Sequence, residues 1–437
     1  MVESATAWSN WAGTFSVAPR RVTHPRTTDD VADEIRHAAE NNLSLKAIGS
    51  GHSFSAIGAT HGVLMKLDQL RGIIAADRKT GLVTVAAGTP LSELNSTLWT
   101  MGLAMTNLGD IDAQTISGAI STGTHGTGVA FGGLATQVRG LQLVTASGEL
   151  LNCSPTENAE IFAVARIGLG ALGVITSVTL QCEPAFALHA RERPSSYDAL
   201  LETVEASVAD HDHFEFYWFP HTRRVLTKTH DRVRLEAGLH PLGRLRGWID
   251  DEFLANRVFE GVNRLTTARP ALTGRANRIA ARALSAREFT DRSYRVFVSP
   301  RRVKFREMEY ALPRETMSHV IGELDDWINR SGERIGFPVE VRFAAADDIA
   351  LSTAYGRETC YIAVHQYHRR PHEKYFLAFE RIAESVGGRP HWGKLHFRTA
   401  EDLEPKYPLF GQYLAVRQRL DPDRRFSNDY LRRVLGT

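Results

Sequence analysis

The 437-residue chain has room for two or three domains with full-sized cores, and 43% apolar and 23% charged residues suit a soluble globular enzyme. A formal net charge of +2 implies no polyanionic partner. No apolar run approaches the roughly 20 residues needed to span a bilayer.

Met1 to Gly13 lacks the basic-then-apolar order of a signal peptide. The three cysteines, Cys153, Cys182 and Cys360, are far apart and odd in number. That fits free buried thiols in a reducing cytoplasm better than disulfides or a zinc site.

In chain order, residues 1–24 form an entry arm anchored by Trp8 and Trp11. Thr27-Thr28-Asp29-Asp30 reads as an N-cap region; Val31, Ile35, Ala38 and Ala39 share one helical face, and Asn41-Asn42 stops the helix. A strand from Leu45 to Ile48 breaks into the turn Gly49-Ser50-Gly51, with His52 at its tip. Such a turn lets backbone N–H groups approach an anion closely.

Gly62–Leu67 and Leu82–Ala86 read as strands, and Pro90–Leu98 as a short helix with proline in its first turn. Asn107-Leu108-Gly109-Asp110 and Thr115-Ile116-Ser117-Gly118 then lead into a second loop, residues 120–128, rich in glycine and hydroxyls. The two loops look like halves of one diphosphate cradle. Gln137 to Leu151 reads as strand, turn at Ser147-Gly148, strand; Ile161–Gly168 as a helix; Val174–Leu180 as a closing strand.

This order is α+β rather than repeating βαβ. Gly168, Gly170 and Gly173 match a G-x-G-x-x-G string, but they follow a helical run and open a strand, the reverse of a dinucleotide fingerprint. They are expected to serve a tight turn instead.

Glu183-Pro184 marks a boundary. Beyond a mostly polar Ser207–Asp212, His213–Phe219 reads as an aromatic strand. Residues 222–306 are dense in arginine, with helical patterns around Phe253–Leu265 and Ala276–Ala286. Asp231, Asp250, Asp251, Glu252, Glu260, Glu288 and Asp291 interleave with the arginines, which favours a solvated insertion over a nucleic-acid or membrane surface.

Phe337–Phe343 and Thr359–Tyr367 read as strands, and Tyr375–Ser385 as a helix ending at Gly387-Gly388. Glu340 and Arg342 leave the first of these strands on one face, where a carboxylate can hold a guanidinium fork toward an oxygen-rich ligand. Apolar Val339, Val341 and Phe343 occupy the other face. The histidines at 211, 213, 365, 368, 372, 391 and 396 lack matching ligand frames, so no metal is expected.

Residues 47–55 and 120–128 resemble the FAD-binding domain of the vanillyl-alcohol-oxidase-like flavoproteins. From about Trp8 onward the chain is similar to their sugar 1,4-lactone oxidoreductase branch. Trp218-Phe219-Pro220-His221, Pro338–Phe343 and Pro390-His391-Trp392-Gly393-Lys394 carry that likeness.

The resemblance implies an α+β protein: a two-part, PCMH-type FAD domain (1–185 with 398–437) and an inserted α+β substrate cap (186–397). FAD would be joined covalently to His52 through its 8α-methyl group. Further cofactor contacts would come from Ile48, Gly49, Ser50, Gly51, Ser53, Phe54, Ser55, Asn107, Gly109, Ser117, Gly118, Ser121, Thr122, Gly123, Thr124, His125, Gly126, Thr127, Ile175 and Lys394. Residues 107–110 contain no cysteine, so no second covalent bond is expected.

The implied reaction is hydride transfer from a carbinol carbon to flavin N5, with loss of the hydroxyl proton. Arg342 and Lys394 would stabilise the oxygen, Glu340 would orient Arg342, and His365, Tyr367 and Asp110 would contact substrate. Gly109 matches a gate position over the flavin, where glycine leaves room for dioxygen. The implied donor is an aldono-1,4-lactone, L-gulono-1,4-lactone first, with dioxygen or another acceptor. The rivals are an alditol oxidase acting on xylitol or sorbitol, and a non-catalytic, nucleic-acid- or anion-binding protein using the arginine-rich segment.

Overall fold

Thr27 caps the helix Thr28–Glu40 in a capping box with Asp30, and Asn41 and Asn42 close it, Asn42 at φ 50°. The computed structural model describes residues 2–3, 7–243, 256–299 and 301–436. Val31, Ile35 and Ala38 of this helix pack on Leu45, Val63 and Met65. These belong to a four-stranded sheet ordered Val2–Glu3, Arg21–Thr23, Val63–Lys66, Leu45–Ile48, whose last three strands are parallel.

A second, antiparallel sheet runs Leu150–Cys153, Val138–Val144, Val174–Gln181, Leu82–Ala86, Ile73–Asp77. Gly148, at φ 81°, makes the turn between its first two strands. The helix Ala159–Ala165 precedes the Gly168–Gly173 loop, which opens the strand Val174–Gln181.

The rest of the chain builds an eight-stranded antiparallel sheet in the order Arg287–Arg292, Ala187–Ser196, Arg224–Val233, His213–Trp218, Val339–Ala344, Thr359–Tyr367, Phe305–Pro313, Arg389–Pro390. One face is apolar: Phe214, Phe216, Val339, Val341, Ile362 and Met308 pack with helices Tyr197–Asp210, Met317–Ser331 and Glu373–Ser385. Ser207–Asp212, read from sequence as a polar stretch, is mostly the end of the first of these helices.

The C-terminal helices Phe410–Leu420 and Asp429–Leu435 return to the N-terminal region. Tyr413, Val416, Leu431 and Val434 join its core, and Asn428 Nδ2 donates to the carbonyls of Ala56, Ile57 and Ala59.

The arginine-rich stretch differs in detail from expectation. Its helices run Phe259–Ala268 and Thr273–Ala283; Phe253, Asp250, Asp251 and Glu252 lie outside the described residues. The second helix lies three residues ahead of the expected span, and the sheet's edge strand begins at Arg287. Among the described residues no helix is long and apolar enough to cross a membrane.

Candidate active site

Two adjoining hollows share His52, Ser53, Gln114 and Thr122. The first, about 1040 Å³, is lined by Ile48–Ser53 and Ser55, by Ser117, Gly118, Ser121 and Thr122, and by Gly168, Gly170, Gly173 and Ile175. Glycine is required at position 49, where an added Cβ would lie 2.0 Å from Thr115 Oγ1. Gly51 turns the chain at φ 69°. Among the described residues the N–H groups of Ser50, Gly51 and His52 donate to no protein acceptor, so the turn is free to bind an anion.

His52 stacks on Trp11, ring centroids 5.5 Å apart, and its Nδ1 is buried with no hydrogen-bond partner. Burial, and next the Lys394 charge, lower its pKa, which keeps the imidazole neutral and its lone pair available. Lys46, also lining this hollow, is buried; its Nζ donates to Gly170 O (2.9 Å) and Phe426 O (3.1 Å). Burial, then Arg417, brings it down to about 7. A donor turn, a glycine-lined floor and an orphaned imidazole nitrogen fit a dinucleotide cofactor.

The second hollow, about 680 Å³, is walled by the polar face of the eight-stranded sheet. Register sets its chemistry: Glu215 stands opposite Arg342, Tyr217 opposite Glu340, and Glu307 opposite His365. Arg342 Nε donates to Glu215 Oε2 (2.9 Å), and its Nη2 pairs with both Asp110 and Glu340. Arg301 joins Asp110, Glu340 (3.2 Å) and Tyr217 (3.2 Å), and Lys228 backs Glu215 at 3.2 Å. Lys394 Nζ lies 2.5 Å from Glu307 Oε2, and His125 Nε2 lies 3.2 Å from Glu309.

Burial works against these carboxylates, and the neighbouring cations overcome it. Arg342 and Arg301 hold Asp110 well below the usual carboxylate range. Lys394 and His365 bring Glu307 down to about 2, and His125 and Lys394 keep Glu309 well below normal. Burial pushes His391 down to about 4. The pocket is therefore a buried, charge-compensated wall of fixed donors and acceptors.

Among the described residues two groups bring possible metal-ligand atoms within 4.8 Å: His125, Glu309, His391, and Asp110, Glu215, Glu340. Histidine spacing in the sequence did not point to either. The acidic group is compensated by Arg342, Arg301 and Lys228. In the other, His391 Nδ1 accepts the Gly393 N–H at 3.0 Å, so the neutral ring carries its proton on Nε2.

Most residues expected at the site do line these hollows; Phe54, Gly109, Asp110, Thr124, His125, Glu340, Arg342 and Lys394 line the second. His365 sits just behind it, Nε2 3.5 Å from Glu307. Asn107, Gly123, Gly126 and Thr127 do not line either hollow. Asn107 Nδ2 donates to Thr127 O at 3.2 Å, while Thr127 Oγ1 bonds Phe214 O and the Phe343 N–H, joining loop to sheet.

Tyr367 corrects an expectation. It shares strand parity with His365, yet it does not line the hollow: its hydroxyl donates to Glu260 at 2.7 Å, and its ring clusters with Phe337 and with Phe305, which does line it. Sequence reading missed Glu215, Arg301, Glu307 and Glu309. The signal present was an acid flanked by apolar residues on a buried strand: Glu215 between Phe214 and Phe216, and Glu307 and Glu309 on either side of Met308.

Comparison with known proteins bears on this geometry. Residues 19–154 match the FAD binding domain model, and residues 178–434 match D-arabinono-1,4-lactone oxidase. An L-gulono-1,4-lactone dehydrogenase of Mycobacterium tuberculosis is 43% identical over 98% of this chain and 99% of its own. The L-gulonolactone oxidase of Bos taurus is 36% identical (98% and 98%), and an alditol oxidase of Streptomyces sp. 30% (99% and 99%).

Among solved structures, cholesterol oxidase from B. sterolicum superposes with a TM-score of 0.83 over 100% of this chain and 97% of its own, at 18% identity, a likeness of fold alone. The α+β fold, the FAD-binding match and the lactone-oxidase match over more than half the sequence agree: the chain belongs to the D-arabinono-1,4-lactone oxidase family of FAD-dependent oxidoreductases.

Proposed function

We propose that the substrate is an aldono-1,4-lactone, L-gulono-1,4-lactone first, oxidised at a carbinol carbon in the second hollow. The observation that carries this is the buried Glu340–Arg342 pair, braced by Glu215 and Asp110 beside His52. Residues 1–185 with 398–437 form the cofactor unit and 186–397 the substrate unit. Bound FAD supplies the hydride acceptor, flavin N5, and is held covalently at His52.

Arg342 and Lys394 donate to the substrate oxygen, and that developing charge is worth most in a dry, prearranged site. Glu340 and Glu215 fix the Arg342 fork, and Asp110 tethers it from the cofactor side. His365 supports the same corner through Glu307. Gly109 lines the second hollow without a side chain, which would leave room for dioxygen as acceptor once FAD is bound. Three free, buried cysteines support a reducing, cytoplasmic setting.

The alditol reading is kept by one relative, the 30% identical alditol oxidase. The deciding experiment is anaerobic bleaching of the flavin by L-gulono-1,4-lactone or by xylitol, then admission of air. Bleaching by the lactone and prompt return of colour are expected. Bleaching by xylitol alone moves the enzyme to alditols, and slow recolouring makes it a dehydrogenase.

A further inference from the structure

Glu307 leaves the strand Phe305–Pro313 toward the second hollow and bridges two bases. Its Oε2 is 2.5 Å from Lys394 Nζ, and its Oε1 is 3.5 Å from His365 Nε2. His365 Nδ1 lies 3.1 Å from Pro338 O; a carbonyl only accepts, so Nδ1 carries the ring's proton. With Nδ1 donating, the ring's only place for a lone pair is Nε2, which faces Glu307 and, 4.0 Å away, Glu340. That nitrogen is buried and has no hydrogen-bond partner. A lone pair facing two carboxylates is unfavourable, and a proton arriving at Nε2 turns the contact into attraction.

We propose that Glu307 is the catalytic base, accepting the substrate's hydroxyl proton and passing it to His365 Nε2 while Lys394 holds the oxygen. This rests on the carbinol oxidation assigned above. The C–H bond breaks with its electron pair leaving as hydride to the flavin. The O–H electron pair stays on oxygen and completes the C=O bond. The proton crosses Glu307, which ends as the carboxylate it was, and His365 ends as imidazolium.

Glu307 is itself paired with Lys394, and among the described residues it is set apart by touching both Lys394 and His365. Lys394, as ammonium, has no lone pair to accept with. Glu309 is paired with His125, and Glu340 with Arg342 and Arg301. The Lys394 ammonium, against burial, brings the Glu307 carboxyl down to about 2, so a proton that it accepts is passed on.

The relay works only while Nε2 is unprotonated. The charges around it are Lys394, Glu307, Glu309 and Glu340, with Arg301 and Arg342 behind Glu340. A proton already on Nε2 removes the acceptor, so a fall in bleaching rate toward low pH that depends on His365 is the signature of the relay.

The test is stopped-flow bleaching by L-gulono-1,4-lactone and by xylitol, between about pH 5 and 9, in wild type, Glu307→Gln and His365→Gln. Flavin content and spectrum report folding. Glu307→Gln should lower the limiting rate at least ~100-fold, with the half-saturating substrate concentration changed less than ~3-fold. His365→Gln should keep its flavin and lose the acid limb of the profile.

A Glu307→Gln rate within ~3-fold of wild type, or an unchanged acid limb in His365→Gln, overturns the relay alone. If Glu307→Gln does not fold, the His365→Gln profile decides. Wild type bleached by neither compound overturns the functional reading and the relay with it.

Discussion

The Lys46 ammonium lies 2.9 Å from Gly170 O and 3.1 Å from Phe426 O, so one buried side chain ties the first sheet to the glycine loop and to the C-terminal tail. Lys46→Met leaves both carbonyls without that donor, at about 1–3 kcal/mol each. The folded amine titrates at about 7, against 10.5 when unfolded, because of burial and Arg417. Between these values the unfolded chain binds the extra proton, so this group adds stability as pH rises, by up to ~1.4 kcal/mol per unit. Denaturant unfolding of wild type and Lys46→Met at several pH values above 7 should show the gap between them widening.

Arg342 answers three carboxylates, Asp110, Glu215 and Glu340. A lysine can keep the charge but not the fork. Arg342→Lys is expected to retain flavin and to lose ~100-fold or more in limiting bleaching rate, read by stopped-flow absorbance.

At Gly109 an added Cβ would sit 3.0 Å from His125 O and 3.2 Å from Thr124 Cγ2, tight but not prohibitive. Gly109→Ala should slow recolouring of the reduced flavin in air about 10-fold, equivalent to ~1.4 kcal/mol. Bleaching by substrate should change less. Equal slowing of both steps would argue against a dioxygen gate.

His52 Nδ1 is the orphaned, buried atom of the first hollow. Acid precipitation should leave the yellow colour in the wild-type pellet and move it to the supernatant for His52→Ala. Colour released from both would show that the flavin is not covalently held.

The cofactor hollow was legible because local chemistry writes it: Gly49 and Gly51 are needed within a few residues of one another, and His52 follows directly. Glu340 and Arg342 were legible for the same reason, two residues apart on one strand. Glu215, Arg301, Glu307 and Glu309 were not. The three glutamates are brought together by antiparallel pairings between strands as far apart as His213–Trp218 and Val339–Ala344, and Arg301 comes from the connection before Phe305; no local pattern encodes that arrangement. Tyr367 shows the limit of parity: it gives the face correctly, but not where along the strand the pocket ends.

The eight-stranded sheet has a consequence for how such enzymes change. Along its central strands the residues at 214, 216, 339, 341, 362 and 364 sustain the core, while those at 215, 217, 340, 342, 363 and 365 face the other way, toward the pocket side. Two messages are thus interleaved on the same strands, one for folding and one for chemistry. Drift in the second can retune which polyol or lactone is taken without disturbing the first, whereas a single-residue insertion in any of these strands would corrupt both.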